Sequence, residues 1–170
     1  ERLTQQSLDM YRRLRTGDDP DLAALMNNLG HIKDSDGRAA EAEPFLKDAL
    51  AMFQRLHAGD HKDVAMCMDN LAKVYDSMGR YSEAEPLYVG SIEMRRRLYK
   101  GDHPDLATGL NNLAVLRTNS GRAEEGLALQ KEALEINRRL YKGDHPAVAR
   151  DLANLAVVLS ARNPAEAEAL

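Results

Sequence analysis

The sequence predicts an all-α fold in which pairs of antiparallel helices repeat along the chain. Three observations predict it: a 42-residue period running through the 170 residues, apolar residues spaced three or four positions apart, and no alternating run of β-branched residues. In repeat proteins of this kind each unit buries its apolar face against its neighbours. We therefore expect a helical solenoid rather than a closed bundle.

A Gly-Asp pair, a leucine column and an asparagine column mark the period. The Gly-Asp pairs begin at Gly17, Gly59, Gly101 and Gly143. The leucines are Leu29, Leu71, Leu113 and Leu155, and each follows an asparagine. This register predicts the end of a helix B at 1–16, whole repeats at 17–58, 59–100 and 101–142, and a partial repeat at 143–170.

Each repeat is expected to contain two helices, A and B. In the third repeat, helix A is predicted from Pro104 to Asn119, because a stripe of leucines recurs at helical spacing and proline suits the first helical turn. The glycines that follow helix A favour its end; they are Gly37, Gly79 and Gly121. Helix B begins with acidic and ends with basic residues, an arrangement that the helix dipole favours.

Two features depart from a regular repeat. Pro44 and Pro86 lie near the start of helix B, where we expect a slight bend rather than a break. The fourth repeat lacks one residue in the turn between its helices, near 160–163. The chain begins inside one helix B and stops early in another, without polar capping faces, so we expect a segment of a longer array.

Composition and motifs exclude several functions. A net charge of −4 argues against general nucleic-acid binding, and no apolar run is long enough to span a membrane. We therefore expect neither nucleic acid nor a membrane as a partner, and we expect a cytoplasmic location. The single cysteine, Cys67, excludes an internal disulfide and a zinc site built from thiolates. The sequence shows no phosphate loop, nucleophile elbow or paired metal-ligand motif, so we expect no enzyme activity, cofactor or metal.

The histidines and the cysteine are given structural roles. His61, His103 and His145 recur once per repeat before helix A, too far apart to share a metal ion, and are interpreted as turn or helix-start residues. His57 is expected at the surface. Cys67 is interpreted as a small packing residue rather than a reactive thiol.

Three motifs resemble the 42-residue tetratricopeptide repeats of kinesin light chains. They are Asn-Asn-Leu-Ala at 111–114, Gly-Arg-Tyr-Ser-Glu-Ala-Glu-Pro-Leu-Tyr at 79–88, and Gly-Asp-His-Pro-Asp-Leu-Ala at 101–107. The resemblance covers essentially the whole chain. It implies a right-handed superhelix with helix A on the concave side, and binding of a peptide or protein there. One departure is Gln130, which occupies the column of Leu46 and Tyr88.

The stripe of helix A opposite the leucines then faces the groove, and it provides the candidate peptide-binding residues. They are Asn27, Asn28, Asn70, Asn111, Asn112, Asn154, His31, Lys73 and Arg150, beside Val115 and Val157. An asparagine amide can pair with both the C=O and the N–H of an extended peptide. One amide per repeat would match about one peptide unit in three. Alternatively, each asparagine bonds the neighbouring helix and fixes the geometry between repeats.

Three functions remain open on these grounds. The leading one is a non-catalytic scaffold that binds a peptide or partner segment in the groove. The second is a structural spacer, or a domain that self-associates through helix B or the repeat ends. The third is a sensor or regulatory array fused to an enzymatic domain elsewhere. Grooves of the kinesin-light-chain type often favour acidic peptides, but the mixed charges of this stripe predict no clear preference.

Overall fold

The computed structural model describes residues 2–14 and 17–162, except for the side chains of Arg12, Ala161 and Arg162. These residues form eight α-helices and no strand, which confirms the all-α prediction. The helices are α1 (Arg2–Leu14), α2 (Pro20–Ser35), α3 (Ala39–Leu56), α4 (Lys62–Ser77), α5 (Tyr81–Leu98), α6 (Pro104–Asn119), α7 (Ala123–Leu140) and α8 (Pro146–Arg162). The A helices are α2, α4, α6 and α8. The predicted bounds of helix A in the third repeat match those of α6.

The chain divides into two compact units, Glu1–Met94 and Arg95–Leu170. In unit 1, α2 packs mainly on α3, and α3 in turn packs on α4. In unit 2, α6 packs on α7, and α7 packs on α8 in the same way. In both units, consecutive helices therefore bury their apolar stripes against each other, and successive A helices are neighbours.

The leucine column faces the core, as the spacing predicts. All four leucines are buried: Leu29, Leu71, Leu113 and Leu155. The B helices supply a matching buried column at Leu8, Leu50, Ile92 and Leu134. Burying one leucine side chain contributes about 1.5–3 kcal/mol, so each member of these columns stabilises its helix pair.

The residue before each A helix caps it. Asp19 accepts hydrogen bonds from the backbone N–H groups of Asp21 and Leu22, at 2.9 and 3.1 Å. In the later repeats a histidine takes this position, and its Nδ1 accepts a backbone N–H at 3.1–3.2 Å. This confirms the helix-start role predicted for His61, His103 and His145.

The ends of the helices also follow the sequence. Gly121 has a φ of 82°, in the left-handed region that lets the chain leave α6 without a Cβ clash, and Gly37 and Gly79 repeat this conformation. Pro44 and Pro86 lie inside the continuous helices α3 and α5, so neither breaks its helix. The predicted helix B of the fourth repeat, after 163, lies outside the described residues.

Ion pairs hold the loop before helix A to the helix B that follows in the same repeat. Arg55 donates two hydrogen bonds to Asp18, at 2.7 and 2.8 Å. Arg139 donates two to Asp102 in the equivalent position, at 2.6 and 2.8 Å. These hydrogen bonds lower the pKa of both carboxyl groups from their ordinary value of 3.8. The basic ends of α3 and α7 therefore also bind the Gly-Asp loops of their own repeats.

The ion pairs predict a pH dependence of stability. Because the pKa of Asp102 is lower in the folded than in the unfolded chain, its contribution is complete above the unfolded value of 3.8 and is lost as the pH falls through the lowered folded pKa. We expect Asp102→Asn to lower the melting temperature slightly at neutral pH, and the difference from wild type to shrink at about pH 2. Thermal melts from pH 7 to 2 measure it. A constant difference would contradict the assignment.

Candidate functional site

The candidate residues of unit 1 lie on α2 and α4. Asn28 is exposed on α2. Asn70 on α4 is half-buried, and its Nδ2 donates to Oδ1 of Asn27 at 2.9 Å. Asn27 itself is only 2 % exposed. The Asn27–Asn70 bond joins two neighbouring A helices, which is the structural role that the alternative interpretation gives to these amides.

The candidate residues of unit 2 divide in the same way. Asn111 is 4 % exposed and its amide bonds inside the protein. Asn112 and Asn154 are half-buried on the surface of α6 and α8. Of the two adjacent asparagines in the first and third repeats, the first therefore points into the helix packing and the second towards solvent.

A small apolar pocket lies between α6 and α8, on the face that carries Asn112 and Asn154. It has a volume of about 80 Å³. Its lining is Val115, Val157 and Val158, with Thr118, Asn119 and Asn154. Val157 is 65 % exposed and Val115 is 39 % exposed, whereas Val158 is buried. The pocket thus combines an aliphatic floor with polar groups at its edge, and it can receive a small aliphatic side chain. We call it the valine pocket.

The three charged candidates are all exposed. Lys73 lies 3.6 Å from the carboxylate of Asp34, which also accepts a hydrogen bond from Ser77 at 3.1 Å. Arg150 lies 3.7 Å from Asp151, and His31 is exposed on α2. Because two of these charges already have acidic neighbours, the face has mixed charge, in agreement with the prediction of no clear preference for acidic peptides.

A buried polar cluster, which we call the polar junction, lies where α6, α7 and α8 meet. Asp151 is fully buried, and its carboxylate accepts from Nδ2 of Asn111 at 2.6 Å and from Nδ2 of Asn137 at 2.5 Å. Gln130, also fully buried, donates to Asn111 at 2.5 Å and to the backbone oxygen of Asp151 at 3.3 Å. The sequence gives one signal for this junction, which is that Gln130 occupies the position of Leu46 and Tyr88 in the other repeats.

Aromatic rings stack in the loops before α4, α6 and α8. Tyr99 stacks on His103 with ring centroids 3.5 Å apart, and Tyr141 stacks on His145 at 3.6 Å. In unit 1 the tyrosine position is His57, whose ring stacks on His61 at 3.4 Å. His57 is half-buried. The expected surface histidine is therefore partly exposed, and it occupies the position that tyrosine holds in the two later loops.

Cys67 has the packing role that the sequence predicts. Its side chain is fully buried, and its Sγ–H donates a hydrogen bond to the backbone oxygen of Leu46 at an S···O distance of 3.6 Å. Burial raises the pKa of the thiol to about 12. The thiol is therefore neutral and a poor nucleophile at physiological pH.

Among the described residues, no helix is both long and apolar enough to cross a membrane.

Comparisons with known proteins point to one repeat family. A profile of the tetratricopeptide repeat matches residues 1–55, 35–97 and 105–170. No curated protein sequence matches the chain.

Solved structures of similar fold include the following three. The nearly identical TPR-like repeats of a candidate kinesin light chain from Podosopora anserina are 20 % identical, with a TM-score of 0.82, over 98 % of this chain and 80 % of that one. A variant of the same Podosopora repeats has a TM-score of 0.84 at 20 % identity, over 98 % and 79 % of the two chains. BtubC (BKLC) from P. vanneervenii is 27 % identical, with a TM-score of 0.84, over 98 % and 67 %.

Proposed function

Because the chain belongs to the tetratricopeptide repeat family, as an array of the kinesin-light-chain type, we propose that it is a non-catalytic module that binds an extended peptide or partner segment on its A helices. Protein–protein interaction is typical of this family. The more specific proposal is that the ligand lies on the A-helix face of each unit. A cytoplasmic location and the absence of catalysis belong to the same proposal.

The valine pocket is the observation that carries the proposal. Val157 keeps 65 % of its surface exposed in a chain whose other valines are mostly buried or half-buried. Exposed apolar surface next to polar groups is typical of a binding site. A volume of about 80 Å³ is small, so the pocket suits a small aliphatic side chain rather than an aromatic one. We therefore expect a ligand with valine, leucine or isoleucine at its central position.

The amide at the edge of this pocket supports binding of an extended backbone. Asn154 lines the pocket, so its amide can pair with the ligand backbone beside the aliphatic side chain. Asn112 and Asn28 take the same role on α6 and α2 in this proposal. Asn27, Asn70 and Asn111 already bond inside the protein, so we assign them to the geometry between helices. Each hydrogen bond contributes only about 0.5–1.5 kcal/mol, which is too little to offset the entropy lost on association, so burial in the pocket must supply the remaining binding free energy.

A selection from random peptides tests the proposal. Phage display of twelve-residue peptides against the chain is expected to enrich peptides with a central aliphatic residue. Val157→Lys is then expected to weaken the selected peptide at least tenfold in a fluorescence-anisotropy titration, because it puts a charge over the pocket. Asn154→Ala is expected to weaken it several-fold. Val157 is exposed, so its replacement leaves the core intact.

Leu140→Lys is the matched control, since Leu140 is an exposed leucine on a B helix of the same unit. This variant should bind the selected peptide as wild type does. Loss of binding in Leu140→Lys, with Val157→Lys unaffected, would place the interaction on the B helices instead. Molar mass that rises with protein concentration, without any selected peptide, would favour the self-association function.

A further inference from the structure

The loop between α3 and α4 differs chemically from its counterparts in the other repeats. His57 ends α3 and His61 caps α4, so two imidazole rings stack where the later loops pair tyrosine with histidine. Asp63 follows in the first turn of α4. One potential ligand atom from each of these three residues lies within 4.8 Å of the other two. Among the described residues, this is the one group of three metal-ligating side chains so placed.

The distances within this group suit a small divalent cation. Nδ1 of His61 lies 3.6 Å from Oδ2 of Asp63. Two ligands on a tetrahedral zinc ion, each about 2.1 Å from it, lie about 3.4 Å apart. The side chains of His61 and Asp63 are 31 % and 33 % exposed, so an ion can enter from solvent.

His57 supplies an independent observation. Its Nε2 is buried and has no hydrogen-bond partner among the described residues. A buried polar nitrogen without a partner is unfavourable, because it has lost its hydration without compensation. A metal ion bound at this nitrogen would supply the missing partner.

We propose that His57, His61 and Asp63 form a binding site for a first-row divalent cation such as Zn²⁺. Two imidazoles and one carboxylate are a ligand set that zinc accepts, with water in the fourth position. The ion ties the residue that follows α3 to the first turn of α4 and so stiffens the inter-repeat loop. The site is separate from the A-helix face and does not depend on the proposed function.

Metal binding changes two existing interactions. Parallel stacked rings direct their nitrogen lone pairs along parallel planes, so His57 must turn before it and His61 can share one ion. Coordination through Nδ1 of His61 also replaces the hydrogen bond that this atom accepts from the N–H of Asp63 at 3.2 Å. The carboxylate of Asp63 offsets the unfavourable approach of a cation to a helix N-terminus. We therefore expect reversible binding rather than a permanently held ion.

The chain contains its own control for this site. The loop between α5 and α6 has Tyr99, His103 and Asp105 in the same positions, with His103 3.7 Å from Asp105. His57→Tyr makes the loop between α3 and α4 like the loop between α5 and α6, keeps a stacked aromatic ring, and removes one ligand. Tyr99→His makes the loop between α5 and α6 like the loop between α3 and α4 and completes a second set of three ligands.

Calorimetric titration of the untagged chain with Zn²⁺ at pH 7.5 tests the proposal, with Co²⁺ absorption as a readout of coordination. Wild type is expected to bind one ion, and His57→Tyr to bind it at least tenfold more weakly. Tyr99→His is expected to raise the stoichiometry to two. His31→Ala, which removes an exposed histidine outside the group, should bind as wild type does.

Three outcomes would overturn the proposal. They are no Zn²⁺ binding by wild type, equal binding by wild type and His57→Tyr, and loss of binding in His31→Ala alone. Circular dichroism and melting of each variant without metal confirm that it is folded. The melting temperature of wild type, but not of His57→Tyr, should rise with Zn²⁺ concentration.

Discussion

Replacing Asp151 with alanine is expected to lower the free energy of unfolding by about 3 kcal/mol. Asp151 is fully buried and accepts hydrogen bonds from the amides of Asn111 and Asn137. The substitution leaves both donors buried without an acceptor, and each loss costs about 1–3 kcal/mol. It also opens a small cavity at the meeting point of three helices. In a chain of this size, the expected fall in melting temperature is roughly 6–12 °C.

Two further variants separate the causes of this loss. Asp151→Asn keeps the size of the side chain but offers one acceptor oxygen instead of two, so it should lose about half as much stability. Asp144→Ala removes an exposed carboxylate just before α8 and should change little. Urea unfolding of the three variants and wild type gives the comparison. If Asp151→Ala were as stable as Asp144→Ala, the hydrogen bonds of the polar junction would contribute nothing to the free energy of unfolding.

The polar junction also shows what sequence periodicity can and cannot predict. Column positions predict which residues turn inwards, and Leu113 and Leu155 are buried as expected. Asp151 aligns with Cys67 and Gly109, and Gln130 aligns with Leu46 and Tyr88, so a repeat average hides both polar residues. Their hydrogen bonds join α6, α7 and α8 through side chains that are 14–40 positions apart. Pairing of this kind depends on exact side-chain placement, which spacing does not determine.

The sequence predicts which asparagines lie on the A helices, but not which of two adjacent asparagines is exposed. Adjacent residues on a helix are about 100° apart, because 3.6 residues make one turn. Asn27 and Asn28 therefore cannot both face a groove, and the structure buries the first and exposes the second. The binding role of Asn28, Asn112 and Asn154 stays a prediction. Val157 was visible in the sequence as a member of the stripe, but its pocket needs the packing of α6 on α8.

Gly126→Ala is expected to destabilise the chain by about 2 kcal/mol, although alanine occupies the equivalent positions 42 and 84. A Cβ on Gly126 would lie 2.5 Å from Oγ1 of Thr118 and 2.7 Å from the backbone oxygen of Ala114. The threonine can rotate, but the backbone oxygen moves only if α6 and α7 separate. Overpacking of this kind costs up to about 3 kcal/mol, and the gain in helix propensity returns at most about 1 kcal/mol.

Gly90→Ala is the matched control, since Gly90 also lies inside a B helix. A Cβ there would contact only the terminal methyl group of Met68, at 2.6 Å, and that flexible side chain can move away. The gain in helix propensity then dominates, so Gly90→Ala should be neutral or more stable by up to about 1 kcal/mol. In urea unfolding, the midpoint should fall for Gly126→Ala and should stay the same or rise for Gly90→Ala. A stabilising Gly126→Ala would mean that α6 and α7 separate at little cost, and that the repeat average predicts this position better than its local contacts do.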